Sequence, residues 1–441
     1  MTRTGPSTAN QATRAIEAID VSVIVATHRR KQLVLQNLEA LLKQDFPAER
    51  FEVIVSADSS DDGTADAIRQ RALHSPVRVR VVEHSGRSAS KTRNLGARIA
   101  TGSWLIFIDD DITPEPGFVS AHVAARSDGR VNIGYARPIK TLQNDAWHQS
   151  VWRWWEDTFE RSLRTNGHQF RYTDFLSGNF GISASLFTEL GGFDETFTTA
   201  WEDFEFGLRL IRHGVSMAYL PGAVGDHAFG STVQSHLKRR HQEGRASVQF
   251  GRVHPELRMS LFDPMYDAQS RKRAALIAIA QRQKPADWLV DRLAKFGSAP
   301  KKTFWRERLL ASTHAQDLRF WQGVFAEIGT TRHLLSWLQD SPTSARISTD
   351  APVAELQNLR SISPHSNMNE VAPGCDTRGL RVNHFGAELL RVPPEVGAEP
   401  LRVEHVLALA AKKLSVAFSG HEVMSSAKQS RCHRNERRTT P

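Results

Sequence analysis

Five apolar residues, Trp104 to Ile108, run straight into three carboxylates, Asp109, Asp110 and Asp111. An unbroken apolar run of this length predicts a strand buried on both faces. Strands of that kind belong to parallel sheets covered by helices. In open sheets of this class, ligands bind beyond the carboxyl ends of the strands. The acidic tip is therefore the first place to look for chemistry. Three adjoining carboxylates repel one another, so a positive group is expected among them. Hard oxygen ligands suit Mg²⁺ or Mn²⁺, which also hold substrate phosphates. A solvated acidic turn after a core strand would have the same sequence, and these residues alone do not decide between the two.

The flanking pattern supports the sheet. Val21–Ala26, Phe51–Ala57 and Val77–Val82 read as further strands. Val34, Leu38, Leu41 and Leu42 recur at helical spacing, so a helix packs back after the first strand. Asp58–Thr64 is a turn into a second helix, with Asp and Thr as cap candidates. Ser88–Ala100 reads as a helix whose small residues, Ala89, Gly96 and Ala100, permit close packing. Alternating strands and helices predict an α/β fold with a mostly parallel sheet flanked by helices. No G-x-G-x-x-G follows the first strand, so the dinucleotide fingerprint is missing.

Further on, Val131–Ala136 reads as a strand and Phe175–Ile182 frames a short helix with Gly191–Asp194. Glu202–His213 is an amphipathic helix, and Val215–Leu220 a strand ending at Pro221-Gly222. Between the strand Val131–Ala136 and Phe175 lie Trp147, Trp152, Trp154, Trp155 and Phe159, which would pack in a core, stack on sugar rings or reach lipid headgroups. After Phe250 the texture changes to amphipathic helices over Arg271–Gln281, Asp287–Phe296, Phe304–Leu310 and Asp317–Leu338. Residues 1–20 and 341–441 read as largely disordered, with one helix at Leu401–Phe418.

Composition narrows the partners. Formal net charge is +9, which favours anionic ligands such as nucleotides, headgroups or nucleic acid. Nucleic-acid binding lacks interleaved aromatics or a recognisable module. Two cysteines, Cys375 and Cys432, suggest neither a disulfide framework nor a zinc site. No apolar h-region opens the chain, and no run reaches the roughly 18 apolar residues of a spanning helix. The reading is cytoplasmic, with peripheral contact at the inner face of a membrane.

Taken in order, Val21–Arg29, Asp58–Thr64, Lys91–Gly96, Phe107–Asp111, Gly178–Asn179, Gly191–Glu195, Trp201–Asp203 and His227 resemble the inverting nucleotide-sugar glycosyltransferases of family two, which have the GT-A fold. The resemblance covers roughly residues 20–240. It implies a catalytic domain over 21–250, with a nucleotide half at about 21–111 and an acceptor half at about 112–250. A helical extension (251–340) and a basic tail (341–441) would complete the chain. It also implies transfer of a sugar from a UDP-, dTDP- or GDP-linked donor to a glycan or lipid-linked acceptor, in surface glycan, polysaccharide or glycolipid synthesis.

The resemblance assigns roles residue by residue. Thr27, Arg29, Asp58 and Arg93 match nucleotide-binding positions. Asp58 would accept hydrogen bonds from the nucleobase edge, although a turn aspartate capping the next helix is the other reading. Asp109 and Asp111 match the D-x-D motif, with Asp110 between them on the donor side. Asp111, Asp109 and His227 would hold Mn²⁺ or Mg²⁺, and a mixed nitrogen and oxygen set leans toward Mn²⁺. Gly178 and Asn179 lie where the donor sugar approaches the backbone. Asp203 matches the catalytic base, Glu202 would orient the acceptor, and Trp201 would stack on a sugar ring. A helix N-terminus is expected to keep Asp203 ionised. Capping alone would also explain these acids.

The chain departs from the pattern in places. Ala57 stands where a second acid is common, and His84–Ser88 replaces an Asn/Gly-rich approach to Arg93. Gln-x-x-Arg-Trp and spanning helices, expected of processive synthases, are not found, which favours single or few transfers. A non-catalytic nucleotide-sugar-binding or scaffolding module is the alternative, and the intact Asp109, Asp111, Asp203 and His227 speak against it.

Overall fold

A computed structural model describes residues 19–86, 88–139, 145–228, 232–262, 271–299 and 303–342. C-terminal to residue 342 it describes 354–357, 368, 372, 380–384, 387–392 and 396–413. The strands β1 (Val21–His28), β2 (Phe51–Asp58), β3 (Arg78–His84), β4 (Trp104–Asp109), β5 (Ile112–Pro114), β6 (Arg130–Pro138), β7 (Asn179–Ser183) and β8 (Ser216–His227) form one sheet. Their order is β3-β2-β1-β4-β7-β6-β8-β5.

The first four strands are parallel, as the alternation predicts. β1 lies at the centre of that half. Its alternating side chains enter two cores, Val21, Val23 and Val25 on one face and Ile24 on the other. The helix Ala89–Ile99 crosses so near that a Cβ on Gly96 would stand 2.6 Å from the Ile24 side chain, as its small face predicts. Register brings the strand tips together. Ala26 sits beside Asp109, and His28 beside Asp58.

Beyond β4 the sheet becomes mixed. β7 runs antiparallel to β4 and β6, β8 is parallel to β6, and β5 closes the edge antiparallel to β8. Phe107 of β4 stacks on Phe180 of β7 at 4.6 Å between ring centres, which joins the halves through one aromatic core. β8 does not stop at Pro221-Gly222. It continues to His227 past an irregularity opposite Gly134 and Tyr135, a place where a strand accepts proline. That continuation carries His227 to the cleft. The aromatic segment also departs from a plain α-helix, with a π-helical stretch over Trp154–Glu160.

The helical extension packs on the domain through the long helices Val233–Val253 and Trp305–Ile328. Two glycines let their backbones touch. A Cβ on Gly244 would meet the Phe320 carbonyl at 2.0 Å, and one on Gly323 the His241 carbonyl at 2.0 Å. The sequence places a break between Leu310 and Asp317, but the helix is continuous there and ends at Gly329, whose φ of +91° suits only glycine. Among the described residues, no helix is long and apolar enough to cross a membrane.

Within 341–441, where little regular structure is expected, the strands Ala354–Gln357, Leu380–His384 and Ala387–Val392 form a small sheet. Leu356, Leu380, Val382 and Val406 give it a core of its own. Short strands scattered among polar residues leave too weak an alternation to see in sequence. The region docks on the main domain, where Gly397 accepts from the Tyr172 N–H and Glu399 from the Phe170 N–H. The helix expected over Leu401–Phe418 spans residues 403–413, and its last five expected positions lie outside the described residues. So do residues 1–18.

Candidate active site

The tips of β1 and β2 build the first wall. Asp58 is buried and accepts from the Ser59 hydroxyl (2.8 Å) and the Gly86 N–H (3.2 Å). Burial pushes its carboxyl up, but these bonds and nearby His84 and His28 hold it below its ordinary value. Capping of the next helix falls to Asp62, which accepts from the Thr64 N–H and hydroxyl. Asp58 is thus released from the capping role. Arg29 reaches Asp61 at 2.6 Å. Arg29 (φ +52°), Ser59 (φ +54°) and Trp201 (φ +68°) all take the left-handed conformation. Such strain in non-glycine residues gathers at functional loops.

The three carboxylates after β4 point to three partners. Asp109 takes a 2.7 Å bond from Arg93, and Gly178 lies so close that a Cβ there would stand 2.9 Å from its Oδ2. Asp110 is buried between the Thr27 hydroxyl (2.6 Å) and Arg30 (2.9 Å). Burial, aided by the charge on Asp111, pushes its carboxyl up to about 6 against the pull of Arg30 and Thr27. Asp111 accepts from Arg30 at 3.0 Å through Oδ2, while Oδ1 lies 3.5 Å from the His227 Nε2. Burial raises Asp111, but His227 and Arg30 outweigh it and hold it below its ordinary value. The positive group expected among these acids is Arg30. Motif matching passes over it, although it directly follows Arg29 at the tip of β1.

The cation expectation can be tested on these donors. Among the described residues, no three carboxylate, thiolate or imidazole side chains converge as a closed site. Asp109 is drawn aside by Arg93, whereas Asp111 and His227 face each other. Two protein donors suit a cation whose remaining ligands are water and substrate phosphate oxygens. Trp155 packs edge-on to His227, 5.8 Å between ring centres, and its indole N–H is fixed on the Ala136 carbonyl at 2.7 Å.

The opposite wall is the start of the helix Glu202–Arg212. Glu202 takes a 3.1 Å bond from Arg93. Asp203 accepts only from its own helix, at the Phe204 N–H (2.9 Å), among the bonds described for it. Burial, then the neighbouring Glu202 carboxylate, push Asp203 up to about 8 against that N–H, Arg239 and Arg93. The expectation that the helix terminus keeps it ionised is corrected here. Desolvation and a like charge outweigh the dipole. Arg239, from the run Lys238–His241, acts on both acids and is paired with Glu243 at 3.1 Å. The sequence shows the basic run but not its direction. Trp201 stacks on Phe204 at 4.4 Å and donates to Ser247 at 2.8 Å, so one ring face is covered.

Arg93 joins the two walls. Its buried guanidinium holds Asp109 with one nitrogen and Glu202 with the other. Asn179 stands apart from this group. Its amide is committed to His122 (3.0 Å) and the Ala223 carbonyl (3.0 Å) inside the sheet.

Acids at parallel strand tips thus face acids at a helix start across the Arg93 guanidinium of an α/β domain. Residues 22–191 match the family described as glycosyl transferase family 2. Residues 157–229 match the N-terminal domain of galactosyltransferase. The chain is 28% identical over 274 residues to validoxylamine A glucosyltransferase of Streptomyces hygroscopicus subsp. jinggangensis, covering 55% of this chain and 63% of that protein. It is 28% identical over 243 residues to hyaluronan synthase of Pasteurella multocida, 47% of this chain and 24% of that one. It thus spans less than two-thirds of either relative. A mannosyltransferase from Pyrobaculum calidifontis, solved with GDP-Man and Mn²⁺, overlays with a TM-score of 0.49 at 20% identity, covering 68% of this chain and 85% of that one.

Proposed function

We propose that this chain transfers a sugar from a nucleoside-diphosphate donor to an acceptor hydroxyl with inversion, using a divalent cation. The observation that carries this reading is the Arg93 bridge, with Asp109 at 2.7 Å and Glu202 at 3.1 Å from one guanidinium. A single planar group spans the gap between the acidic strand tip and the residue beside Asp203. Donor diphosphate and proton acceptor would then lie within a sugar's length.

The step follows from the residues. Asp203 takes the proton of the acceptor hydroxyl while that oxygen bonds to the anomeric carbon. The bond from that carbon to the donor oxygen breaks, and its electron pair leaves on the diphosphate. Attack from the face opposite the leaving group inverts the centre. A carboxyl raised to about 8 is a stronger base than an ordinary aspartate once ionised. Asp111 and His227 would hold Mn²⁺ or Mg²⁺, which when bound neutralises charge on the departing diphosphate. Asp58, with Thr27 and Arg29 beside it, receives the nucleoside, where a carboxylate kept ionised accepts from a base N–H. Asp110 backs the tip through Thr27. Gly178 leaves room for the sugar beside Asp109. Glu202 and Trp201 border the acceptor, a glycan or lipid-linked sugar. Trp154, half-exposed beside Trp155, and the basic helices after Phe250 support peripheral contact with an anionic membrane. Asn179 supports the sheet rather than the donor.

A thermal-shift panel of UDP-, GDP- and dTDP-sugars with and without Mn²⁺ tests the reading, because a ligand of the folded state alone raises its melting point. One nucleotide sugar should stabilise the chain more with Mn²⁺ than without, and slow hydrolysis of that donor should accompany binding. Binding without any turnover would instead favour the scaffolding module.

A further inference from the structure

We infer that Arg30 is an internal counter-ion that competes with the divalent cation for Asp111 and surrenders the site only when a diphosphate arrives. The inference rests on the cation site proposed above. Its new content is that Arg30 couples cation binding to nucleotide binding.

The geometry is that of a cation substitute. One guanidinium nitrogen, Nη1, lies 2.9 Å from the Asp110 Oδ1 and 3.0 Å from the Asp111 Oδ2. A single positive atom thus bridges two carboxylates, as a bound ion would. Asp109 adds its charge to the same field. Asp111 offers its other oxygen, Oδ1, toward His227. Arg30 and a cation held by Asp111 and His227 would therefore share one carboxylate. Two positive groups so placed repel each other.

Exposure is unequal. The side chains of Asp110 and Asp111 are 4% and 18% exposed, whereas that of Arg30 is 51% exposed. Thr27 would keep its bond to Asp110 after Arg30 left. The backbone of Arg30 is fixed where it caps the helix Lys31–Leu41, so only its side chain has to turn. A diphosphate beside Asp111 offers a bidentate anion, which a guanidinium fits better than it fits two separate carboxylates. Arg30 can then exchange partners, and the repulsion against the cation is relieved in the same step. Without nucleotide, Arg30 stabilises the acids and keeps the cation weakly bound. With nucleotide, cation and diphosphate favour each other, and linkage makes that preference reciprocal.

The test is Mn²⁺ binding followed by the electron paramagnetic resonance signal of the free ion. Wild type, Arg30→Gln and Arg30→Lys are compared with Mn²⁺ alone and with UDP, dTDP or GDP added in turn. Wild type should bind Mn²⁺ about tenfold tighter with the accepted nucleotide than without it. Arg30→Gln should bind Mn²⁺ alone about tenfold tighter than wild type and lose most of the coupling. Arg30→Lys keeps the charge and should stay near wild type with Mn²⁺ alone. If Arg30→Gln leaves the affinity for Mn²⁺ alone unchanged or weaker while wild type shows coupling, the role of Arg30 is overturned and the cation site stands. If wild type binds Mn²⁺ in neither condition, the cation site itself falls, and this inference with it.

Discussion

The two walls of the cleft hold their carboxylates in opposite ways. On the donor wall, Asp58 and Asp111 are surrounded by donors and positive groups, and both stay below their ordinary values. On the acceptor wall, Asp203 has a helix N–H and distant guanidiniums against burial and Glu202, and it rises to about 8. Asp58 and Asp111 are fixed anions, whereas Asp203, and to a lesser degree the buried Asp110 behind the donor wall, hold a proton nearer neutral pH. The difference teaches that burial alone does not set a carboxyl's charge. Asp58 is closed off from solvent, yet bonds from Ser59 and Gly86 offset its desolvation, whereas Asp203 sets a single helix N–H against its own.

The largest effect should come from removing the exchangeable proton site. Asp203→Asn should lower transfer by about 10³-fold, in the range that general base catalysis supplies. Donor binding should persist, seen as an unchanged thermal shift with nucleotide sugar and Mn²⁺. Transfer at the wild-type rate would end the division of labour between the walls.

Arg93 tests whether the walls depend on each other. Arg93→Met leaves Asp109 and Glu202 without their shared buried cation, and breaking such a pair costs about 3 kcal/mol. Denaturant unfolding should show that loss, and both donor affinity and transfer should fall together. If only one of them fell, the bridge would belong to one wall. Asp111→Ala is narrower. It should abolish the Mn²⁺-dependent part of the thermal shift while leaving stabilisation by nucleotide alone, since Asp58 and its loop are untouched.

Much of the donor wall was legible in the sequence. Apolar runs fix the parallel strands, and the apolar-to-acidic step at Ile108–Asp109 locates the tip. A close approach was readable at Gly96 because small residues at helical spacing have few other uses. What escaped depended on direction and partnership across long separations. Arg30 and Arg239 look like surface charges until β1 meets β4 and the helix Val233–Val253 lies over Asp203. Asn179 sits next to a glycine that does approach Asp109, yet its own amide turns into the sheet, a distinction set by strand pleat rather than motif. The antiparallel edge was obscured by Pro221-Gly222, which reads as a stop but serves as a kink. The sign of the shift on Asp203 is hidden from sequence because the helix terminus is visible there and desolvation is not.

The smallest effect gives the finest test of the comparison, because it reads the charge of Asp203 without catalysis. Its folded value of about 8 lies above the ordinary 3.8, so the folded chain keeps a proton that the unfolded chain has released in the window between. The folded state binding more protons means that stability falls as pH rises through that window and levels off above about 8. Asparagine carries no such proton. Asp203→Asn should therefore melt close to wild type near pH 4.5 and pull ahead of it toward pH 8, by a few degrees, on the order of 1–2 kcal/mol for a partly solvated group. Asp58→Asn should show the opposite trend. Its folded value lies below the ordinary one, so its contribution is present at neutral pH and lost only on acidification, and the variant should melt below wild type at pH 7. Calorimetric scans of Asp203→Asn at pH 4.5, 6 and 8, and of Asp58→Asn at pH 7 and again below the ordinary value of 3.8, decide it. Parallel profiles for Asp203→Asn and wild type would mean that the acceptor wall holds an ordinary anion, and the contrast between the two walls would vanish.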